Sequence, residues 1–283
     1  MTYIHAEVEL IMSPEEALRP LPEPYHRHFA RILEVVESDR RIRGLWLSGS
    51  LARGTADAGS DLDLVLAVAD EEFDAFVEGW RDWLARITPT LVAKAIPNSK
   101  LVFYALAEDI CRIDAVIEPV SKVATSGHRT RVAVIDRDGL HATLPAAEPG
   151  PGPDLTKINL LIEEFWRIQS IFPAMINDRK DLLCALSGVQ ASGTMLYDLF
   201  VETNQPLPPM GVKQFAARLQ PDQSAVLLGL PAVAPERDLL IKADLAVCEA
   251  MATAGRAAAE RVGAEYPERI ASAVRAHHRA TLT

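Results

Sequence analysis

The stretch that most constrains this chain is Gly44-Leu-Trp-Leu-Ser-Gly-Ser-Leu-Ala-Arg-Gly-Thr-Ala-Asp-Ala-Gly-Ser-Asp-Leu-Asp-Leu-Val-Leu-Ala-Val68. Leu45 and Leu47 alternate around Trp46, and Leu62, Leu64, Leu66 and Val68 alternate around Asp61, Asp63 and Val65. Period-two alternation predicts two half-buried strands joined by a glycine turn and a short helix. On the second strand Asp61 and Asp63 share a face, since side chains two apart point the same way. Two carboxylates so placed repel unless a cation lies between them. An oxygen-only donor set suits Mg²⁺, which is commonly held by a few carboxylates together with substrate phosphates. Gly49-Ser50 adds backbone N–H groups at a helix start, where phosphate is favoured. Metal carboxylates beside a phosphate cradle point to phosphoryl or nucleotidyl transfer.

Gly49-Ser50, followed after ten residues by Asp61-Leu62-Asp63-Leu64, resembles the signature of the DNA polymerase β nucleotidyltransferase superfamily. The fuller string Gly49-Ser50-Leu51-Ala52-Arg53-Gly54, with Ser60 directly before Asp61, is similar to its antibiotic-modifying and minimal branches. No Gly-Lys-Ser/Thr follows the turn and no Gly-x-Ser-x-Gly elbow occurs, which removes two rival motifs.

The resemblance implies an α+β architecture: a polymerase β-type mixed sheet with helices, then an all-α helical bundle. The Pro- and Gly-dense run Pro145–Pro153 reads as the linker. The expected domains are therefore 1–145, catalytic, and 153–283, an accessory domain that helps to bind the acceptor. Helices are expected over Pro22–Asp39, Asp70–Ile87, Asp154–Ile171, Asp178–Glu202, Val212–Leu219, Gln223–Leu228, Pro235–Val262 and Pro267–His278. Strands are expected over Leu91–Ala95, Lys100–Leu106, Cys111–Glu118 and Val132–Ile135.

Asp114 interrupts the apolar run Ile113, Ala115, Val116 and Ile117, where an unpaired carboxylate is costly to bury. In the superfamily a third carboxylate comes from a later strand beside the Asp-x-Asp strand, and Asp114 matches it in order and context. It would complete the metal site, accept the proton of the attacking hydroxyl, or do both, with Glu118 as the fallback. The implied site is thus Asp61, Asp63 and Asp114 for catalysis and two Mg²⁺ ions, with Gly49, Ser50 and Arg53 on the nucleotide. His128 and Arg129 are left outside it, although a triphosphate is within their conceivable reach.

The net charge of −10 argues against a nucleic-acid partner and suits a cationic or neutral small substrate. The expected reaction moves AMP from ATP, or another nucleotide, to a hydroxyl of a small molecule such as an aminoglycoside or lincosamide antibiotic. Antibiotic resistance is the associated role. The alternatives are a toxin–antitoxin nucleotidyltransferase that modifies protein or RNA, a nucleic-acid-tailing enzyme, and a non-catalytic scaffold on the same fold. Cys111, Cys184 and Cys248 lack Cys-x-x-Cys spacing and read as buried thiols in a reducing compartment. With no leader pattern and no apolar run near the ~18 residues of a membrane span, a cytoplasmic monomer or homodimer is expected.

Overall fold

The computed structural model describes residues 12–96, 101–146, 148, 150–208, 210 and 213–282. The chain divides into two compact units, Met1–Glu148 with Pro209–Gly211, and Pro149–Pro208 with Val212–Thr283. The architecture is α+β, a mixed six-stranded sheet with helices followed by a helical region.

In the first unit, α1 (Pro14–Leu18) starts on a capping box between Ser13 and Glu16, and α2 (Glu23–Ser38) delivers the chain into β1 (Ile42–Leu47). The short helical turn α3 (Gly49–Ala52) leads to β2 (Leu62–Val68). Two short helices follow, α4 (Phe73–Glu78) and α5 (Trp80–Ala85), and then β3 (Thr90–Ala95), β4 (Val102–Ala107), β5 (Arg112–Pro119) and β6 (Val132–Asp136). The strands lie in the order β3-β4-β5-β2-β1-β6. Only the β2–β5 pair among these is parallel; the other four pairings are antiparallel.

Alternation divides the sheet into two faces. Leu45, Leu47, Leu62, Leu64, Leu66, Phe103, Ile113, Ala115 and Ile117 pack with Phe29, Ile32 and Val36 of α2 and with Phe76, Trp80 and Trp83 of α4 and α5. The other face carries a smaller cluster of Trp46, Val65, Ala67, Val123 and Leu140. On that second face the positions before Val65 in β2 and Val116 in β5 are taken by Asp63 and Asp114.

The continuous helix expected over Asp70–Ile87 is corrected. Asp70–Glu72 is a 3₁₀ turn, and Gly79 ends α4 and opens α5. Glycine gains little from helical geometry and loses most entropy there, so it marks the break. The apolar stripe survives it, because Phe73, Phe76, Trp80 and Leu84 are all buried. Lys100, the expected start of β4, lies outside the described residues.

The second unit holds α6 (Leu155–Gln169), α7 (Phe172–Asn177), α8 (Leu182–Thr203), α9 (Pro221–Leu228), α10 (Arg237–Ala250), α11 (Arg256–Arg261) and α12 (Glu268–Thr281). The expected helix over Pro235–Val262 is interrupted by a π-helical turn, Met251–Gly255. At Gly255 an added Cβ would meet Met251 Sδ at 2.8 Å and Leu196 Cδ1 at 3.3 Å, so a close approach of α8 fixes the glycine there. The helix expected over Val212–Leu219 reduces to a 3₁₀ turn, Ala216–Arg218, with Val212 outside the described residues. All three cysteines are free, but Cys184 is exposed, against the expectation of buried thiols. Among the described residues no helix is long and apolar enough to cross a membrane.

Candidate active site

The site is built where β1 ends and β2 begins. Ser48 donates its backbone N–H to the Asp63 carbonyl at 2.9 Å, tying the two strands together at this edge. Gly49 then takes φ +60°, a left-handed conformation that favours glycine. A Cβ on Gly49 would sit 1.8 Å from Asp63 Oδ2. The glycine is therefore required twice, once by its backbone and once by the carboxylate lying against it. Leu51 and Ala52 bury α3 in the sheet core. Arg53 follows as the C-cap, its N–H on the Gly49 carbonyl. Burial lowers the pKa of its guanidinium, and the nearby charge of Asp63 opposes that shift.

The parallel register of β2 and β5 pairs Leu62 with Ile113, Asp63 with Asp114, and Leu64 with Ala115. Adjacent strands lie about 4.8 Å apart, so register-matched side chains stand next to each other on one face. Asp63 and Asp114 both line a cavity of about 510 Å³, together with Ser48, Gly49, Arg53, Gly127, His128, Arg129, Thr130 and Glu148. Among the described residues, Ser50 and Asp61 do not line it. Asp61 stands just before β2, where Arg112 of β5 forms an ion pair with it and also donates to the Gly59 carbonyl. Sequence reasoning brought Asp61, Asp63 and Asp114 together. The structure places the last two on the cavity wall and holds the first against a guanidinium.

Glu118, the fallback for Asp114, does not line the cavity. Its carboxylate pairs with Arg131 Nη1 at 2.8 Å and accepts from Ser126 Oγ at 2.8 Å. The Arg131 side chain is fully buried, with its guanidinium 5.0 Å from the centre of the Trp46 ring. It also donates to Ser126 Oγ and to the His128 carbonyl. This cluster clamps residues 126–131 and so presents Gly127, His128, Arg129 and Thr130 to the cavity. Burial first, and then the like charge of Arg131, lower the pKa of His128, so its imidazole is neutral near pH 7. Arg129 pairs with Glu148 at 2.7 Å. His128 and Arg129 stand outside the site expected from sequence; the Arg131–Glu118 pair that positions them is set by the fold, and no local signal in the sequence marks it.

Breaking a buried ion pair by removing one partner costs about 3–5 kcal/mol, because the other charge stays buried. Glu118→Gln is therefore expected to lower stability in urea unfolding by about 3 kcal/mol. The double change Glu118→Leu with Arg131→Met should recover a large part of that loss. Equal losses in the single and double variants would contradict the clamp.

The family described as "Streptomycin adenylyltransferase" matches residues 25–204, well over half of the chain. The chain belongs to the streptomycin adenylyltransferase family. It is a nucleotidyltransferase, and the resemblance carried by Gly49-Ser50 and Asp61-Leu62-Asp63 is borne out at that level. An aminoglycoside 6-adenyltransferase from Bacillus subtilis is similar over 90% of this chain and 97% of its own, at 13% identity and a TM-score of 0.43. The GLD-2/RNP-8 complex is similar over 84% of this chain and 69% of its own, at 13% identity and a TM-score of 0.28. Likenesses this distant carry no functional inference. No curated protein matches this adenylyltransferase-family chain in sequence.

Proposed function

We propose that this adenylyltransferase transfers AMP from ATP to a hydroxyl of a cationic aminoglycoside, streptomycin being the first acceptor to test, and releases pyrophosphate. The observation that carries the reading is the pairing of Asp63 with Asp114 across parallel strands on the wall of one cavity. Two neighbouring carboxylates, both half-buried, form the hard oxygen donor set that Mg²⁺ prefers.

Asp63 and Asp114 would hold Mg²⁺ on the cavity wall, and Asp61 would join them as a ligand of two ions by giving up its pairing with Arg112. Held by these carboxylates, Mg²⁺ would supply charge neutralisation to the triphosphate and would lower the pKa of the acceptor hydroxyl. The backbone of the Gly49-Ser50 turn and the guanidinium of Arg53 hold the outer phosphates, and Arg129, which lines the same cavity, adds a donor when a phosphate displaces Glu148 from it. Asp114 takes the proton of the acceptor hydroxyl as its oxygen bonds to the α-phosphorus. The bond from that phosphorus to the bridging oxygen breaks, and pyrophosphate leaves with the electron pair. Fixed donors aimed at the leaving group stabilise the charge that develops on it. The overall charge of −10 favours a cationic acceptor over an anionic polymer. Loss of the antibiotic's activity is the physiological consequence of this reading.

The test is a panel of streptomycin, other aminoglycosides and lincosamides with ATP and Mg²⁺, each product weighed for one added AMP. Acceptor-dependent addition to an aminoglycoside is expected. Modification of lincosamides alone, or of protein or RNA alone, would overturn the acceptor assignment.

A further inference from the structure

The second unit buries a cluster that nucleotidyl transfer does not use. Asp244 and Cys248 lie one helical turn apart on α10 and so share a face. His278 of α12 meets them. Asp244 is fully buried, and His278 and Cys248 are almost so. One donor atom from each, a carboxylate oxygen, the thiol sulfur and a ring nitrogen, falls within 4.8 Å of the other two.

The polar atoms at the centre are not satisfied. His278 Nδ1 pairs with Asp244 Oδ2 at 3.2 Å, short of good hydrogen-bond geometry, and Asp244 Oδ1 makes no hydrogen bond. A buried carboxylate with one oxygen left without a partner is held at a cost. Burial accordingly raises the pKa of Asp244, and raises that of the Cys248 thiol well above its ordinary value. The outer side of the imidazole is well supported. His278 Nε2 lies 2.8 Å from the Gln169 carbonyl, to which only an N–H can donate. That bond turns the Nδ1 position toward Asp244 and Cys248. A ligating histidine is typically oriented in this way, by donating its other nitrogen to a backbone carbonyl. Gln169 is itself fixed, donating from Nε2 to Ser192 Oγ at 2.7 Å, and Ser192 donates to the Gly188 carbonyl at 2.9 Å.

We propose that Asp244, Cys248 and His278 bind a borderline-soft divalent cation, Zn²⁺ by preference, which fastens α12 to α10. Thiolate, imidazole and carboxylate are the donors that Zn²⁺ takes, and a hard cation would not select sulfur. The charges balance: one thiolate, one carboxylate and a neutral imidazole around a doubly charged ion leave no net charge in the core. Binding releases two protons to solvent, that of the Cys248 thiol and the one between His278 and Asp244. With bonds of about 2.0–2.3 Å, tetrahedral donors sit roughly 3.5 Å apart; the imidazole and carboxylate, at 3.2 Å, already stand near that spacing, all three donors lie within 4.8 Å, and a water fills the fourth position. His278 lies near the end of α12, where fraying opens a path for the ion. The second cluster of this kind, His28, Asp109 and Cys111, carries no such claim. There His28 Nε2 already bonds both oxygens of Asp109 at 2.9 Å, so the carboxylate is satisfied.

The test titrates Co²⁺, as a spectroscopic stand-in for Zn²⁺, into the metal-free full-length protein. One equivalent should produce a thiolate-to-cobalt charge-transfer band and the intense visible bands of a tetrahedral ion. The charge-transfer band should vanish in Cys248→Ser and persist in Cys111→Ser. It should also persist in Asp63→Asn, since the catalytic carboxylates offer no sulfur. Zn²⁺ at a hundred times its dissociation constant should raise the melting temperature of the wild-type protein by about 5 °C, a readout that needs no variant to fold. No band together with no thermal shift means that only a proton lies between His278 and Asp244, and overturns the proposal. A band that follows Cys111 overturns it too.

Discussion

Asp63→Asn is expected to lower kcat by at least about a thousandfold, the scale seen when a group that stabilises transition-state charge is removed. The substitution keeps size and shape and deletes one negative charge, so circular dichroism and the unfolding midpoint should change little. Asp63 carries the largest effect because three observations meet on it. It lines the cavity, it pairs in register with Asp114, and its carboxylate lies against Gly49. Asp114→Asn should also be severe, since a positioned general base contributes about 10²–10⁴-fold. Asp61→Asn is expected to cost less, because Arg112 already neutralises much of that charge. Wild-type turnover in Asp63→Asn would remove the metal assignment altogether.

Gly49→Ala should be nearly as damaging, for a reason that only the structure shows. The new methyl would occupy the place of Asp63 Oδ2, so either the turn or the carboxylate must move. Misplacing a catalytic group by about an ångström costs on the order of a hundredfold in rate. The left-handed backbone at φ +60° adds about 1–2 kcal/mol of strain for any residue with a Cβ. Gly139→Ala separates the two effects. Gly139 has φ +70°, yet nothing lies within 4 Å of its would-be Cβ. It should lose comparable stability and keep its activity. If both variants lose stability and both stay active, the contact between Gly49 and Asp63 has no catalytic meaning.

The catalytic strands were legible because their signals are local. Alternation around Leu62, Leu64 and Leu66 fixes a strand and its faces, and a carboxylate at position 63 or 114 of such a strand stands out against apolar neighbours. What the sequence could not show were pairings set by three-dimensional proximity. Arg131 reads as one more basic residue until β5 and the 126–131 turn bring it onto Glu118. Asp61 looks equivalent to Asp63 by spacing, and the Arg112 ion pair and the cavity lining distinguish them. The one helix expected over Asp70–Ile87 ran through Gly79 because the apolar stripe continues across the break. The short helix α7 lies between the expected helices, with Pro173 in its first turn, where proline is well tolerated. Asp244 and Cys248 share a helix face, but His278 lies too far along the chain for spacing to link them.

The most direct test of the central claim, that the Asp63–Asp114 pair makes a Mg²⁺-dependent nucleotide site, is ATP binding by calorimetry with and without Mg²⁺, in the wild-type protein and in Asp63→Asn. It requires no knowledge of the acceptor. Mg²⁺ should strengthen wild-type ATP binding at least about tenfold, or roughly 1.4 kcal/mol, and Asp63→Asn should lose this gain. ATP binding equal in all four conditions would contradict that claim.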